Sequence, residues 1–504
     1  MKAKFTSVML ILSVILSLVL VLQATYPQKK QQKTLKGKMT TSKDEIPITT
    51  QSQEARQKYI EGIILLSNLR TDKAKASFQD AIKADPNFAL GYLGLAQTAG
   101  IYTEQKKNIE KAESLSGNVS EGEKNLILLI KSQFEGDVAK AKEAVDKLIS
   151  MFPKDKWAEF YAGGYEFAAS RNYDAVIGYM QKAIDIDHGF APAYNLMGYA
   201  YSYKNDFNKA ESSFKKYISL VPDNPNPYDS YAELLLKNGR YDESIKQYQK
   251  ALNIDPNFWS SYEGLGNNYL FKNNFSKARE NYQQLYDKSS LPNWKLVSLY
   301  DQAVSYVREG DIDNALTVLD KQASLAESEG AAVVLVNSHN NQGFILAENG
   351  KPEEAMKHFD MAKEKIESSG LPDQQKKNLT ASVNLLRAYG LIAQGKMDDA
   401  KSELDNKDKL IGSSTDPGIE KDYESVQGYL ALKENKYDEA LTHFQKADDQ
   451  SPIVWYYMSM AYDKKGDSGN AAKLVEKIKK SNQNSMDLAI AHNNSKATVA
   501  KETK

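Results

Sequence analysis

The sequence predicts an all-α chain. It reads as a right-handed α-solenoid, or superhelix, of about twelve helical hairpins behind an N-terminal signal or anchor helix. Three observations predict this class. Four consecutive blocks of 34 residues, starting at Trp157, Ala191, Pro225 and Trp259, place like residues on like. Within each block, large apolar residues recur three and four apart, which is the stripe of an amphipathic helix. No block shows the alternation of a strand.

Each recurring position has a mechanical reading. The eighth residue is Gly164, Gly198, Ala232 and Gly266, and the twentieth is Val176, Ala210, Ser244 and Ala278. These small side chains let two helices cross closely, where a large one would overpack. The eleventh residue is Phe167, Tyr201, Leu235 and Tyr269, and the twenty-fourth is Met180, Phe214, Tyr248 and Tyr282. The seventeenth is aromatic in every block: Tyr173, Phe207, Tyr241 and Phe275. It follows turn residues such as Asn205-Asp206 and Asn238-Gly239-Arg240, so it begins the second helix. Proline near position thirty-two, as in Asp85-Pro86 and Asp255-Pro256, stops that helix, because the residue before a proline is pushed out of the α region.

The same pattern extends both ways. Ala55 to Phe88 is a further copy, and two looser copies follow, the second opening with a capping box from Ser120 to Glu123. Regular repeats are expected over 51–292. Over 293–485 the period lengthens, with twentieth positions at Ala315, Ala355, Ala400, Ala440 and Ala471. Longer helices or loops, such as Ser368 to Pro372 and Gly412 to Gly418, must absorb the extra residues. Residues 486–504 lose the pattern and read as a short polar capping segment with a frayed tail.

The N-terminus reads as a targeting segment. Lys2 and Lys4 precede an apolar run from Val8 to Leu22, and Phe5 to Ala24 carries no charge. Residues 1–24 fit either a cleaved secretory signal or a retained single membrane anchor. Residues 25–50, rich in Lys, Gln and Thr, read as a flexible linker. The protein is therefore expected to be exported, periplasmic or at the cell surface, and to be held at the inner membrane if residues 5–24 stay attached.

Composition removes several function classes. The 504 residues include no cysteine and 5 histidines, which excludes disulfides, thiolate catalysis and zinc fingers. His188, His339, His358, His443 and His492 have no metal-spaced partner in sequence. Residues 1–43 hold eight of the 65 basic residues and no acid, so the remaining 57 face 66 acids, a net −9. A body of that sign does not suit nucleic acid. Gly264-x-Gly266 and Gly91-x-x-Gly94 look superficially like phosphate loops, but both sit on predicted helices with no preceding strand. Neither a catalytic site, a metal site nor a cofactor is expected.

The six spaced positions resemble the tetratricopeptide repeat, whose pattern has Gly or Ala at eight and twenty, aromatics at eleven and twenty-four, and proline at thirty-two. Ile48-Thr49-Thr50 and the stretch Asn224 to Glu233 are similar to a group of exported bacterial tetratricopeptide proteins of mostly unassigned role. Some of those carry a lipid-modified cysteine, and Gln23-Ala24-Thr25 has none. In this family the ligand-facing side chains of the first helix include positions five, nine and thirteen. Carried over, these are Tyr161 and Tyr165 with Ala169, then Asn195, Tyr199 and Tyr203, then Asp229 and Glu233 with Lys237, then Glu263, Asn267 and Phe271. The chaperone-tail clamp of the family is absent, since position six reads Ala162, Leu196, Ser230 and Gly264.

The resemblance therefore implies a non-enzymatic scaffold that binds peptide or helical segments of protein partners in a concave groove. The alternative is a glycan-binding module that uses the same tyrosines. A helical-toroid hydrolase, working through carboxylate pairs such as Asp229 with Glu233, is the third reading.

Overall fold

The structure of the protein, a computed structural model, describes residues 43–416 and 418–502, with side chains to residue 495. The apolar run at 5–24 lies outside the described residues. Among those described there is no strand, and no helix is long and apolar enough to cross a membrane. The chain divides into two compact units between Gly264 and Leu265.

The first unit starts with two hairpins, α1 (Gln53–Leu66) with α2 (Thr71–Ala84) and α3 (Ala89–Gln97) with α4 (Tyr102–Ser114). Then come α5 (Glu121–Glu135) with α6 (Val138–Met151), and α7 (Lys156–Tyr165) with α8 (Tyr173–Ile186). The last two are α9 (Ala191–Tyr203) with α10 (Phe207–Leu220), and α11 (Asn226–Lys237) with α12 (Tyr241–Ile254). The helix α13 (Trp259–Phe271) begins the next hairpin, and the division of the chain falls inside it.

The hairpins form because small residues sit under aromatic ones. A Cβ added at Gly198 would stand 2.7 Å from the Phe214 ring, and one at Gly62 2.5 Å from Phe78. Phe214 and Phe78 are fully buried. Asp85 and Asp255, each before a proline, are extended and end α2 and α12. The turns also repeat. Arg171, Asn205, Gly239 and Asn273, spaced by 34, all take positive φ. The next residue in three of these turns, Asn172, Asp206 and Asn274, caps the second helix by accepting a backbone N–H three residues on. The expected capping box is present, with Ser120 and Glu123 bonded reciprocally.

Two features of this unit differ from a free array of neighbours. Residues 46–50, placed in the linker by sequence, lie along the ends of successive hairpins. The N–H of Ile46 donates to Asp155 at 2.7 Å and that of Thr49 to Glu123 at 2.7 Å, while the Thr50 hydroxyl donates to Asp85 at 2.5 Å. Ile46 and Ile48 pack on the hydrophobic core. The turn of the first hairpin also reaches the far end of the unit. Arg70 and Lys73 pair with Asp255 at 2.7 and 3.0 Å, Trp259 donates to Asp72 at 3.3 Å, and Tyr217 donates to Asn68 at 3.2 Å. Nearest-neighbour coupling, the rule for open solenoids, is therefore supplemented by contacts across the unit.

The second unit continues with α14 (Phe275–Lys288), then α15 (Pro292–Glu309) with α16 (Ile312–Ser328) and α17 (Ala332–Glu348) with α18 (Pro352–Ser368). Next, α19 (Asp373–Ala393) pairs with a broken second helix, α20 (Met397–Asp405) and α21 (Lys407–Ile411). The hairpins α22 (Ile419–Lys433) with α23 (Tyr437–Lys446) and α24 (Pro452–Lys464) with α25 (Ser468–Lys480) follow. The longer period is absorbed as expected, by helices of 17 to 21 residues from α15 to α19 and by the loop before α22. Small residues still face aromatics: Gly266 faces Tyr282, Gly343 faces Phe359 and Gly428 faces Phe444. Twelve hairpins lie among the described residues.

The end of the chain corrects the expectation of a short polar cap. Residues 486–502 form a helix, α26, and Leu488, Ala489, Ile490 and Ala491 are buried. The apolar run is too short, and too flanked by asparagines, to read as a core helix from sequence.

Packing variants test this account. Phe214→Ala should cost about 3–5 kcal/mol by opening a cavity, and Gly198→Leu should also destabilise by overpacking. Gly239→Ala should lose about 1–2 kcal/mol, because a Cβ is strained at positive φ. Denaturant unfolding of each variant checks the three losses.

Candidate functional site

The first helices α9, α11 and the start of α13 lie side by side and bring polar and aromatic side chains of successive repeats together. Tyr199 donates its hydroxyl to Glu233 at 2.8 Å, one repeat away. The Ser261 hydroxyl donates to Asp229 at 2.6 Å. Lys237 donates to the Ser202 carbonyl at 3.1 Å and places its ammonium 4.5 Å from the Tyr203 ring centre. Tyr203 in turn stacks on Tyr173, with ring centres 5.1 Å apart and planes 11° from parallel.

Three carboxyls converge here, and their electrostatics are unusual. Burial raises the Asp229 carboxyl to about 7, and nearby Glu233 pushes the same way, against the Ser261 bond. Burial, then Asp229 and Glu233, raise Glu263 to about 8. Glu233 is raised as well, chiefly by burial, although the Tyr199 hydroxyl and Lys237 partly offset it. Glu233 and Lys237 keep solvent-exposed surface beside the protein that desolvates their charged ends, whereas Asp229 is 6% exposed. Water thus reaches the rim while protein walls surround the floor. Burial also lowers Lys237 from the ordinary ammonium range. Lys237 and Glu233 act on each other electrostatically without an ion-pair contact among the described residues.

The sequence-expected residues divide into three sets. Tyr161, Tyr165 and Asn195 are buried, at 5, 5 and 1% exposure. Tyr161 belongs to the same core cluster as Tyr59 and Leu66. Tyr165 donates to the Val138 carbonyl at 3.2 Å and so ties adjacent hairpins. Tyr199, Tyr203, Asp229, Glu233 and Glu263 are the ones brought together. Asn267 and Phe271 belong to the second unit. There Asn267 accepts from Tyr282 and from Asn484, both at 2.7 Å, and Arg308 lies 5.1 Å over the Phe271 ring.

Sequence reasoning missed Ser261, while Tyr248 takes the packing place its twenty-fourth position implied. Ser261 stands at position three of its block, off the ligand-facing set, and only the inter-helix distance reveals it. Tyr248 packs beneath Gly264, where a Cβ would stand 2.1 Å from its ring. Gly264 and Gly266 are therefore packing positions on a helix, as the missing strand implied. Two histidines distant in sequence do meet, His339 and His358, with ring centres 5.8 Å apart. Among the described residues no group of three His, Cys, Asp or Glu could hold a metal ion.

The carboxyls make stability pH-dependent. Each has a folded value above its ordinary unfolded one of about 4, so the native state favours the protonated form. That stabilisation is fully present below about pH 4 and is lost as pH rises through 7 to 8. Asp229→Asn should raise stability at pH 9 by on the order of 2 kcal/mol and change little at pH 4.5. Urea unfolding at the two pH values checks this.

Comparison with known proteins agrees with the repeat. Residues 191–224 match a model described as tetratricopeptide repeat, and residues 232–272 one described as TPR repeat. The chain is 28% identical over 222 residues to anaphase-promoting complex subunit 3 of Schizosaccharomyces pombe, covering 41% of this chain and 32% of that protein. It is 24% identical over 311 residues to a TPR repeat-containing protein of Methanocaldococcus jannaschii, covering 57% and 48%. The chain thus spans less than half the length of these curated relatives. Among solved structures, a tetratricopeptide repeat protein from Parabacteroides merdae aligns at 17% identity with a TM-score of 0.37, over 54% of this chain and 98% of that one. The anaphase-promoting complex assembly of Cut9 and Hcn1 aligns at 14% identity with a TM-score of 0.42, over 86% and 78%. The matched models thus identify tetratricopeptide repeats within residues 191–272, and the same helical hairpin recurs along the described chain.

Proposed function

We propose that this chain is a non-enzymatic scaffold of the cell envelope, and that the groove formed by α9, α11 and the start of α13 takes a basic peptide or helical segment of a protein partner. The observation that carries the reading is the trio Asp229, Glu233 and Glu263. Three carboxyls in partly desolvated surroundings, with Lys237 acting electrostatically on Glu233 but no ion pair to them among the described residues, form a site to which a Lys or Arg of a partner would add. Tyr203, at the rim with 36% exposure, supplies contact area at small entropy cost. Relatives named as subunits of the anaphase-promoting complex and of the BBSome support a role in assembly.

Envelope location rests on Lys2, Lys4 and the apolar run from Val8 to Leu22. Residues 5–24 serve either as a cleaved signal or as the single anchor. The glycan reading is less well supported, because Tyr203 already has Tyr173 stacked on it and Lys237 over its ring. Catalysis by the raised carboxyls is a weaker reading still, since a desolvated acid with no positioned nucleophile or electrophile has only one part of a mechanism.

A basic decapeptide of alternating Lys and Ala is the probe for the groove. It should bind the full chain with proton release at pH 7, measured by calorimetry in two buffers of different ionisation enthalpy. Binding should weaken at least about tenfold in the double variant Asp229→Asn with Glu233→Gln, given the usual loss at paired charges. Equal affinity in that folded variant removes the reading. Location is tested separately. Residues 1–50 fused to a reporter active only outside the cytoplasm should give signal, and N-terminal sequencing should then find either Thr25 or Met1. Reporter activity confined to the cytoplasm would overturn export.

A further inference from the structure

We propose that α15, α17 and α24 of the second unit form a helix-binding groove whose resident occupant is the chain's own segment 486–495, and that a partner helix of the same chemistry displaces it. That chemistry is a short run of small and branched apolar residues flanked by asparagines. The site is separate from the acidic strip of the first unit and does not rest on it.

The first support is where the segment goes. Helix α25 ends at Lys480, and residues 481–485 are not helical. Instead of pairing with a following helix as the next hairpin, α26 packs against α15, α17 and α24 as well as α25. Polar contacts of residues 484–494 reach residues 146 to 217 positions upstream. Asn484 donates to Asn267 at 2.7 Å and to Asp301 at 2.9 Å, and the Met486 N–H donates to the Tyr300 hydroxyl at 3.1 Å. Asn493 donates to the Val307 carbonyl, and Asn494 donates to Glu348 at 2.7 Å.

The second support is burial. Residues 488–492 are consecutive and all buried, between 0 and 8% exposed. Successive side chains on a helix point about 100° apart, so five in a row cover its whole circumference. A capping helix on the outside of an array would keep a polar stripe in water. This one is surrounded, as a bound ligand is.

The third support is that the fit is imperfect. Asp487 faces two other acids, Asp448 from the turn before α24 and Glu348 from the end of α17, with the Tyr300 hydroxyl of α15 also near. Burial, then those two acids, push its carboxyl up to about 6. The Asn484 side-chain carbonyl is buried and accepts no hydrogen bond among the described residues. A tethered segment needs little intrinsic affinity, since a short linker gives an effective concentration in the millimolar range. A free partner that replaces the acid by an amide and satisfies that carbonyl would compete.

The test uses the full chain and a synthetic peptide of residues 482–502. Hydrogen exchange should show the 486–495 amides opening at least tenfold faster than those of α15 and α24, because the helix leaves while the groove stays folded. Asp487→Asn should slow that exchange, and Ile490→Asp should speed it. The labelled peptide should bind the Ile490→Asp chain at least tenfold more tightly than the unaltered chain. Exchange of 486–495 at the same rate as α15 and α24 would make the helix an integral part of the unit and overturn the proposal, even if Ile490→Asp fails to fold. Exchange that slows with protein concentration, together with dimers in light scattering, would also overturn it, by making a second copy the occupant. A folded Ile490→Asp chain that ignores the peptide does the same.

Discussion

The contact between a glycine on one helix and an aromatic ring on the next is the constraint on which everything else depends. At Gly198 over Phe214, and again at Gly266 over Tyr282, the ring occupies the space where a Cβ would be. This sets how closely two helices of a hairpin approach, and therefore where the first helix of one hairpin meets the next. Repetition of that spacing places Tyr199 within bonding distance of Glu233, and Asp229 within reach of Ser261. The glycine is required by the approach, not by the turn. The turn has its own rule, a positive φ at one repeated position, which Asn and Gly adopt at lower cost than Arg171 does.

The groove of the first unit works against the fold that carries it. Burying Asp229 and Glu263 near Glu233 favours their neutral forms, so the folded state is least stable where all three would be charged. Fold stability would be served by amides at these positions. Tyr199 and Ser261 give two of the carboxyls one hydrogen bond each, which softens the desolvation without neutralising charge. A cation from outside would do both, which is why the cluster reads as incomplete and not merely strained.

Segments beyond the repeats are also bound to the units. Ile46 to Thr50 runs over the ends of hairpins, with the N–H groups of Ile46 and Thr49 met by Asp155 and Glu123. The C-terminal helix is enclosed by the second unit through asparagine donors. Both segments use the same solution. Carboxylates of the array accept bonds from chain that carries no positive charge there, so each contact is specific in geometry and weak in long-range attraction.

How much of this was legible follows from the range of each interaction. The hairpins were legible because a small residue, an aromatic and a turn residue recur at fixed spacing, and a helix reads its neighbours three and four residues away. The stop before Pro256, the cap at Ser120 and the packing role of Gly264 are equally local. The candidate site was legible only as positions. Sequence by itself determined that Tyr165 and Tyr203 stand at positions nine and thirteen of successive first helices. Only the tertiary structure decided that Tyr165 ties two hairpins while Tyr203 keeps a face at the rim. The enclosure of Leu488 to His492 and the pairing of Asp255 with Arg70 involve partners up to about two hundred residues apart, for which a single sequence carries no periodic signal. Periodicity determines which side chains share a helix face, but burial depends on what the rest of the chain brings against that face.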